Sequence, residues 1–358
     1  MSHSNTSARN AVFASTDFPW KWYLKDLDDR PKNGMTVFSC FACGGGSSMG
    51  YKLAGYDVIG NCEIDPRMMK IYEENNHPKY KYLMDIRDFV KTPDSEIPEE
   101  LKNLDILDGS PPCSVFSLAG SREEGWNVEK TFREGQKKQR LDDLFFHFID
   151  VAKKLQPKVV VAENVKGLIT GNAKGYVNQI LKAFEAAGYV VQFFLLNAAR
   201  MGVPQKRERV FFVAHRDDLD YGKLNLSFNS VPVLFRDVRS AYGKAIPETS
   251  VQGRLMKYRR NSDRDCGDIS LRVRKKRTGF TAPLNHDEEP AQTIVAGGSM
   301  FRMCDGLLMT DKDIINCQTF PQDYNFLDQS VQYVCGMSVS PVMMAKIAEQ
   351  IYLQWIKN

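Results

Sequence analysis

Hydrophobic positions change their period several times along this chain, and the changes mark out its elements. From Met35, "MTVFSCFA" is an apolar run of strand length, and the following "CGGGSSMGYKLAGY" is a glycine turn opening a helix. "DVIGNCEID" repeats the strand pattern. In "PRMMKIYEENN" the apolar spacing becomes helical behind Pro66, a residue suited to a first helical position. A third strand precedes Asp85. "LDILDG" is the next strand, and "LFFHFIDVAKKLQP" a helix ended by Pro157. "KVVVAENV" is a strand, "NQILKAFEAAGY" a helix stopped by Gly188, and "VVQFFLLNA" and "RVFFVAHR" are strands. Strands alternating with helices predict an α/β fold, a doubly wound and mostly parallel sheet with both faces covered. Ligands of such sheets bind at the carboxyl ends of the strands.

The rhythm stops after Arg216. Residues 217–285 lack long periodic helices, whereas the tail "SPVMMAKIAEQIYLQWIKN" is again amphipathic, with Ser340 and Pro341 at its start. Residues 1–34 carry an aromatic cluster without clear period, read as a surface arm packed by Trp20, Trp22 and Tyr23. The expected division is an N-terminal extension over 1–34, a large domain over 35–216 and a small one over 217–305. Residues 306–358 are expected to form a hinge and a helix that complete the large domain.

Composition narrows the class. The chain has 358 residues, 43% hydrophobic and 26% charged, which is ordinary for a soluble protein. No apolar run reaches the roughly 18 residues of a membrane helix, and the polar "MSHSNTSARN" lacks a secretory core. A cytoplasmic protein is expected, with reduced cysteines. Cys40 and Cys43 form one C-x-x-C, but no second pair completes a zinc site, so no metal is expected. The net charge of +4 is mild, but Val251 to Phe280 hold ten Lys or Arg against three Asp, a local net of +7.

Several strand ends carry candidate chemistry. The turn with Gly44 and Gly46 lets a ligand approach the backbone beside a helix N-terminus, and Glu63 closes the second strand about 20 residues on. Together these favour an adenosine-bearing cofactor over a purely structural turn. Asp65 suits a helix cap. Asp85 suits either an adenine amino group or a turn. Cys113 follows the stiff "GSPP" turn, and is either a small buried hydrophobe or a nucleophile. Glu163 ends an apolar run, as a helix cap or as an acid that hydrogen-bonds a substrate ring. Arg207 and Arg209, two apart, point to one face of a strand, either as an exposed edge or in a site.

In order along one sheet, the glycine turn, the acidic strand end, P-P-C-S-V-F-S, E-N-V-K-G and P-Q-K-R-E-R-V resemble the DNA cytosine carbon-5 methyltransferases. The resemblance runs from about Val37 to Arg216 and resumes near Glu288 in "DEEPAQTIVAG". "TFPQDYNF" and "CGMSVSP" are similar to the closing segments, although the last reads G-M-S-V where the family has G-N-S-V.

The resemblance implies a Rossmann-like domain that uses S-adenosyl-L-methionine, with the small unit as a target-recognition domain. It implies that Cys113 attacks carbon-6 of a flipped-out cytosine and that Glu163 holds and protonates ring N3. Arg209, with Arg207, would contact the cytosine. Phe41, Gly44, Gly46, Glu63, Ile64, Asp85, Ile86, Pro112, Leu144 and Ser338 match cofactor-lining positions. The span from Cys113 to Leu144 matches a loop that closes over the substrate. Double-stranded DNA is the implied partner of a monomer, nucleoid-associated in a prokaryotic or phage-infected cell. Ser117, Gln205, Arg254, Lys257, Arg259, Arg260, Arg274, Lys275 and Lys276 are the expected DNA contacts. The alternatives are a tRNA cytosine methyltransferase, from a branch of the same family, and a non-catalytic DNA-binding relative.

Overall fold

The computed structural model describes residues 17–112, 143–170, 174–277 and 282–357. The strands are β1 (Thr36–Cys40), β2 (Asp57–Glu63), β3 (Tyr80–Leu83), β4 (Ile106–Gly109), β5 (Val159–Val165), β6 (Tyr189–Asn197), β7 (Gln205–Lys206), β8 (Glu208–Arg216), β9 (Leu284–Asn285), β10 (Ala291–Gln292) and β11 (Phe301–Arg302). The helices are α1 (Gly46–Leu53), α2 (Pro66–Asn76), α3 (Ile86–Lys91), α4 (Glu99–Lys102), α5 (Leu144–Leu155) and α6 (Lys174–Ala186) in the first half. They continue as α7 (Phe235–Val238), α8 (Val251–Met256), α9 (Cys266–Arg274), α10 (Asp311–Gln318), α11 (Val331–Met337) and α12 (Pro341–Ile351).

Seven strands form one sheet in the order β3-β2-β1-β4-β5-β8-β6. The first five run parallel, and β8 is antiparallel to both β5 and β6. Continuous apolar runs suit this sheet because neighbouring residues point to opposite faces and both faces are covered. Val37, Ile106, Val159, Val161 and Phe211 pack into one core with α1 and α12. Phe38, Leu107, Val160, Ala162 and Phe212 pack into the other with α3, α5 and α6.

The region after Arg216 is only partly a separate body. Leu224, Leu226, Phe235 and Val238, which the sequence groups with the small unit, are buried in the larger core. A distinct small core gathers Leu255, Met256, Cys266, Ile269, Leu284 and Phe301. The aromatic arm is anchored: Trp22 is buried, its indole N–H donates to the Thr319 carbonyl at 2.9 Å, and its own carbonyl accepts from the Gln322 amide. No helix among the described residues is long and apolar enough to cross a membrane.

Helices α1 and α12 pack closely because Gly50 lacks a side chain. A Cβ there would lie 2.5 Å from both Met344 Cβ and the Pro341 carbonyl oxygen. Gly50→Val is therefore expected to lower stability by about 2 kcal/mol or more through overpacking. A urea midpoint equal to wild type would contradict this contact.

Candidate active site

Three structural features shape the turn after β1. Phe41, Cys43 and Gly45 all have positive φ, at 53°, 45° and 74°. Two of these are not glycine, so the surroundings must hold the turn in place. Tyr324 does so from one side, its hydroxyl donating to the Gly44 carbonyl. Ser338 and Val339 close against Gly46 from the other, where no Cβ would fit. The resulting pocket is lined by Ser39, Phe41, Ala42, Cys43, Gly46, Ser47, Asp108, Ser110, Met337, Ser338 and Val339.

Glu63 stands at the end of the adjacent strand and fixes the same turn. One carboxylate oxygen accepts from the Cys43 amide at 2.8 Å, the other from the Ile64 and Asp65 amides at 2.8 and 2.9 Å. Burial pushes its pKa up, while these amide bonds oppose the shift. Ile64, next to it in sequence, is an apolar side chain left 40% exposed. The second acid, Asp85, follows β3 and caps α3 through the Arg87 amide at 2.9 Å. Arg87 also bridges Asp85 to Asp143, next to Leu144 at the start of α5. Ile86 and Leu144 are buried. Asp65 caps α2, accepting from the Arg67 amide. A carboxylate with lone pairs left over, an exposed aliphatic face and a second carboxylate suit a ribose and a purine. The residues therefore fit an adenosyl group.

The second half of the site lies where β4 and β5 end and β8 begins. Glu163 of β5 and Arg209 of β8 occupy diagonal positions across the antiparallel ladder, since Glu163 pairs with Phe211 and Val165 with Arg209. Their side chains meet as an ion pair, Arg209 Nε to Glu163 Oε1 at 2.9 Å, with 16% and 12% exposure. Asn164 points the other way and is buried, its Nδ2 donating to the Pro111 carbonyl at 3.0 Å. E-N-V and P-P-C are thus joined by a direct hydrogen bond. Pro112 is half-buried at the end of this segment. Cys113, Ser117 and the rest of the expected closing loop, through residue 142, lie outside the described residues.

Arg207 is placed apart from Arg209. It falls between β7 and β8, where the extended backbone breaks, so the alternation expected of a continuous strand does not hold there. Its buried guanidinium donates to the carbonyls of Ile294, Gly336 and Ser338, each at 3.0 Å. Burial, and next the nearby Arg209, lower its pKa to about 9, so it stays charged near neutrality. Gln205 is fully buried, its amide bonded to Cys317, Gln318 and Ile294 rather than turned outward.

Among the basic residues, Arg254, Arg260, Arg274, Lys275 and Lys276 are exposed, the last three at the end of α9. Lys257 pairs with Glu248 at 2.6 Å. Arg259 is tied to the carbonyls of Met256, Met303 and Cys304. Asp108, Asn164 and Ser39 are absent from the residues singled out in the sequence. The signal for Asp108 was present, a carboxylate closing an apolar run, as at Glu163.

The sequence profile of the C-5 cytosine-specific DNA methylases matches residues 35–353. The Type II methyltransferase M1.HphI of Haemophilus parahaemolyticus is 27% identical over 88% of this chain and 86% of its own length. M.FnuDI of Fusobacterium nucleatum, also named a Type II methyltransferase, is 36% identical over 54% of this chain and 51% of its own. The match thus spans about half the length of some curated relatives. In fold, the chain resembles a DNA modification methyltransferase encoded within an E. coli prophage, with TM-score 0.62 and 19% identity over 90% of this chain and 99% of that one. Spodoptera frugiperda DNMT2 follows at TM-score 0.59 and 15% identity, over 89% and 100% of the two chains.

Arg207→Met would leave three buried carbonyls without their donor. Stability is expected to fall by roughly 3 kcal/mol. A urea midpoint within experimental error of wild type would remove Arg207 from this role.

Proposed function

Because the chain belongs to the C-5 cytosine-specific DNA methylases, we propose that it methylates carbon-5 of a cytosine in duplex DNA through a covalent adduct with Cys113. The observation that carries this reading is the Glu163–Arg209 ion pair, which orients a carboxyl group beside the segment that Asn164 fastens ahead of Cys113. The Cys113 thiolate adds to carbon-6, and ring N3 takes a proton from Glu163, so electron density collects at carbon-5. S-adenosylmethionine, when bound, supplies the methyl group that carbon-5 takes. Loss of the carbon-5 proton to solvent, elimination of the Cys113 thiolate and return of the N3 proton to Glu163 then restore the neutral aromatic ring. Arg209 keeps the Glu163 carboxyl aimed at the ring, and Arg207 is a positioning residue that acts through the loops it binds.

The cofactor would lie along the carboxyl ends of β1 and β2. Phe41 and the Gly44–Gly46 turn would receive its methionyl part, Glu63 the ribose, Ile64 the adenine face, and Asp85 with Ile86 its edge. Pro112, Leu144 and Ser338 would line the remainder. The small core around α8 and α9 would carry target recognition, with Arg254, Arg260, Arg274, Lys275 and Lys276 reaching phosphates. This activity suits a restriction–modification setting in the cytoplasm.

Tritiated methyl transfer is expected into duplex DNA and not into tRNA, with Cys113→Ala abolishing it. Duplex containing 5-fluorocytosine should trap a covalent adduct in wild type alone. Glu163→Gln should slow turnover by about 10²- to 10⁴-fold. Transfer confined to tRNA, or an adduct that survives Cys113→Ala, would overturn the proposal.

A further inference from the structure

We propose that Asp108 is a positioning residue for the cationic methionyl end of the cofactor, its carboxylate supplying a counter-charge to that end. This rests on the reading that the pocket takes S-adenosylmethionine. Asp108 stands at the carboxyl end of β4, 1% exposed, and lines the pocket in register with Ser39 of β1. Its partners are hydroxyl groups: Ser39 Oγ donates at 2.9 Å and the Tyr51 hydroxyl at 3.4 Å. No cationic side chain among the described residues pairs with it. A buried carboxylate without a counter-charge is costly.

The neighbours do not relieve this. Cys40 of β1, Tyr51 of α1 and Tyr72 of α2 have pKa values raised first by burial, so all three are neutral near pH 7. The Glu163 carboxyl of β5 adds to the effect of burial in disfavouring ionisation of Asp108. Burial accordingly pushes the Asp108 carboxyl up to about 7, against the hydrogen bonds from Ser39, Tyr51 and Ser47.

The methionyl end of S-adenosylmethionine carries two cations, the sulfonium and the α-ammonium. Bound there, it would provide what the protein withholds. Met337 contributes to the same pocket a thioether, which is a weak acceptor and no donor. The polar residues lining this pocket are Asp108 and the serines Ser39, Ser47, Ser110 and Ser338, and Asp108 is the one acid among them. A cation that favours the ionised acid must displace its proton. Binding should release that proton below about pH 7 and none well above it.

Calorimetric titration of the full chain with S-adenosylmethionine, without DNA and in two buffers of different ionisation enthalpy, reads that proton directly. Wild type is expected to release about three-quarters of a proton at pH 6.5, where the ligand's amino group is still protonated, and about one-quarter from Asp108 at pH 7.5. Asp108→Asn should abolish the release and weaken binding at pH 7.5 about tenfold. Ser39→Ala, which keeps the acid and removes one hydrogen bond to its ionised form, should move the release to higher pH. This variant carries the test if Asp108→Asn does not fold. Binding by wild type without proton release overturns the proposal and spares the functional reading. Equal release by Asp108→Asn, or an unmoved profile in Ser39→Ala, does the same. A cofactor that does not bind at any pH overturns both.

Discussion

The guanidinium of Arg207 holds together segments that the chain keeps far apart. It is buried where β7 gives way to β8, and its acceptors come from beyond β10 and from either side of Met337. Burying an arginine is unfavourable unless its donors are met, and three carbonyls meet most of them here. The Ser338–Val339 backbone so fixed is the wall that closes on Gly46. The glycine turn, the pocket mouth and the strand carrying Arg209 thus share one anchor.

A second brace acts from outside. Trp22, on the arm preceding β1, is bonded to the carbonyl of Thr319, a residue held at φ 58°. The loop that follows places Phe320 against Gly46 and the Tyr324 hydroxyl on the Gly44 carbonyl. A turn with three consecutive-but-one residues of positive φ is thereby held from the N-terminal arm, from α11 and from Glu63. This is the preorganisation a small-ligand site requires, since a backbone already in its bound shape loses little entropy on binding.

Much of the framework was legible in the residues. The alternation of apolar runs with helical spacing located β1, β2, β4, β5, β6 and β8, because side-chain period is a local property of each element. The short helices α7 to α9 were not legible, since four to nine residues give too few turns for a period to show. The partition of residues 217–238 was not legible either. Leu224, Leu226, Phe235 and Val238 carry no mark of which core they enter.

The site divides along the same line. Glu63, Glu163 and Arg209 could be picked out because each ends or begins an apolar run, and Asp108 answers to that rule as well. The α/β order, the acidic and basic residues at strand ends and the family were thus open to reading from near neighbours and their order. Only the tertiary structure decided that Arg209 meets Glu163 while Arg207, two residues away, turns to three distant carbonyls. It alone placed Gln205 in the interior and gave Asp108 hydroxyl partners without a cation. The reason is physical: a buried polar group is settled by whichever partner the packed chain brings within hydrogen-bonding distance, and that partner is seldom a neighbour in sequence.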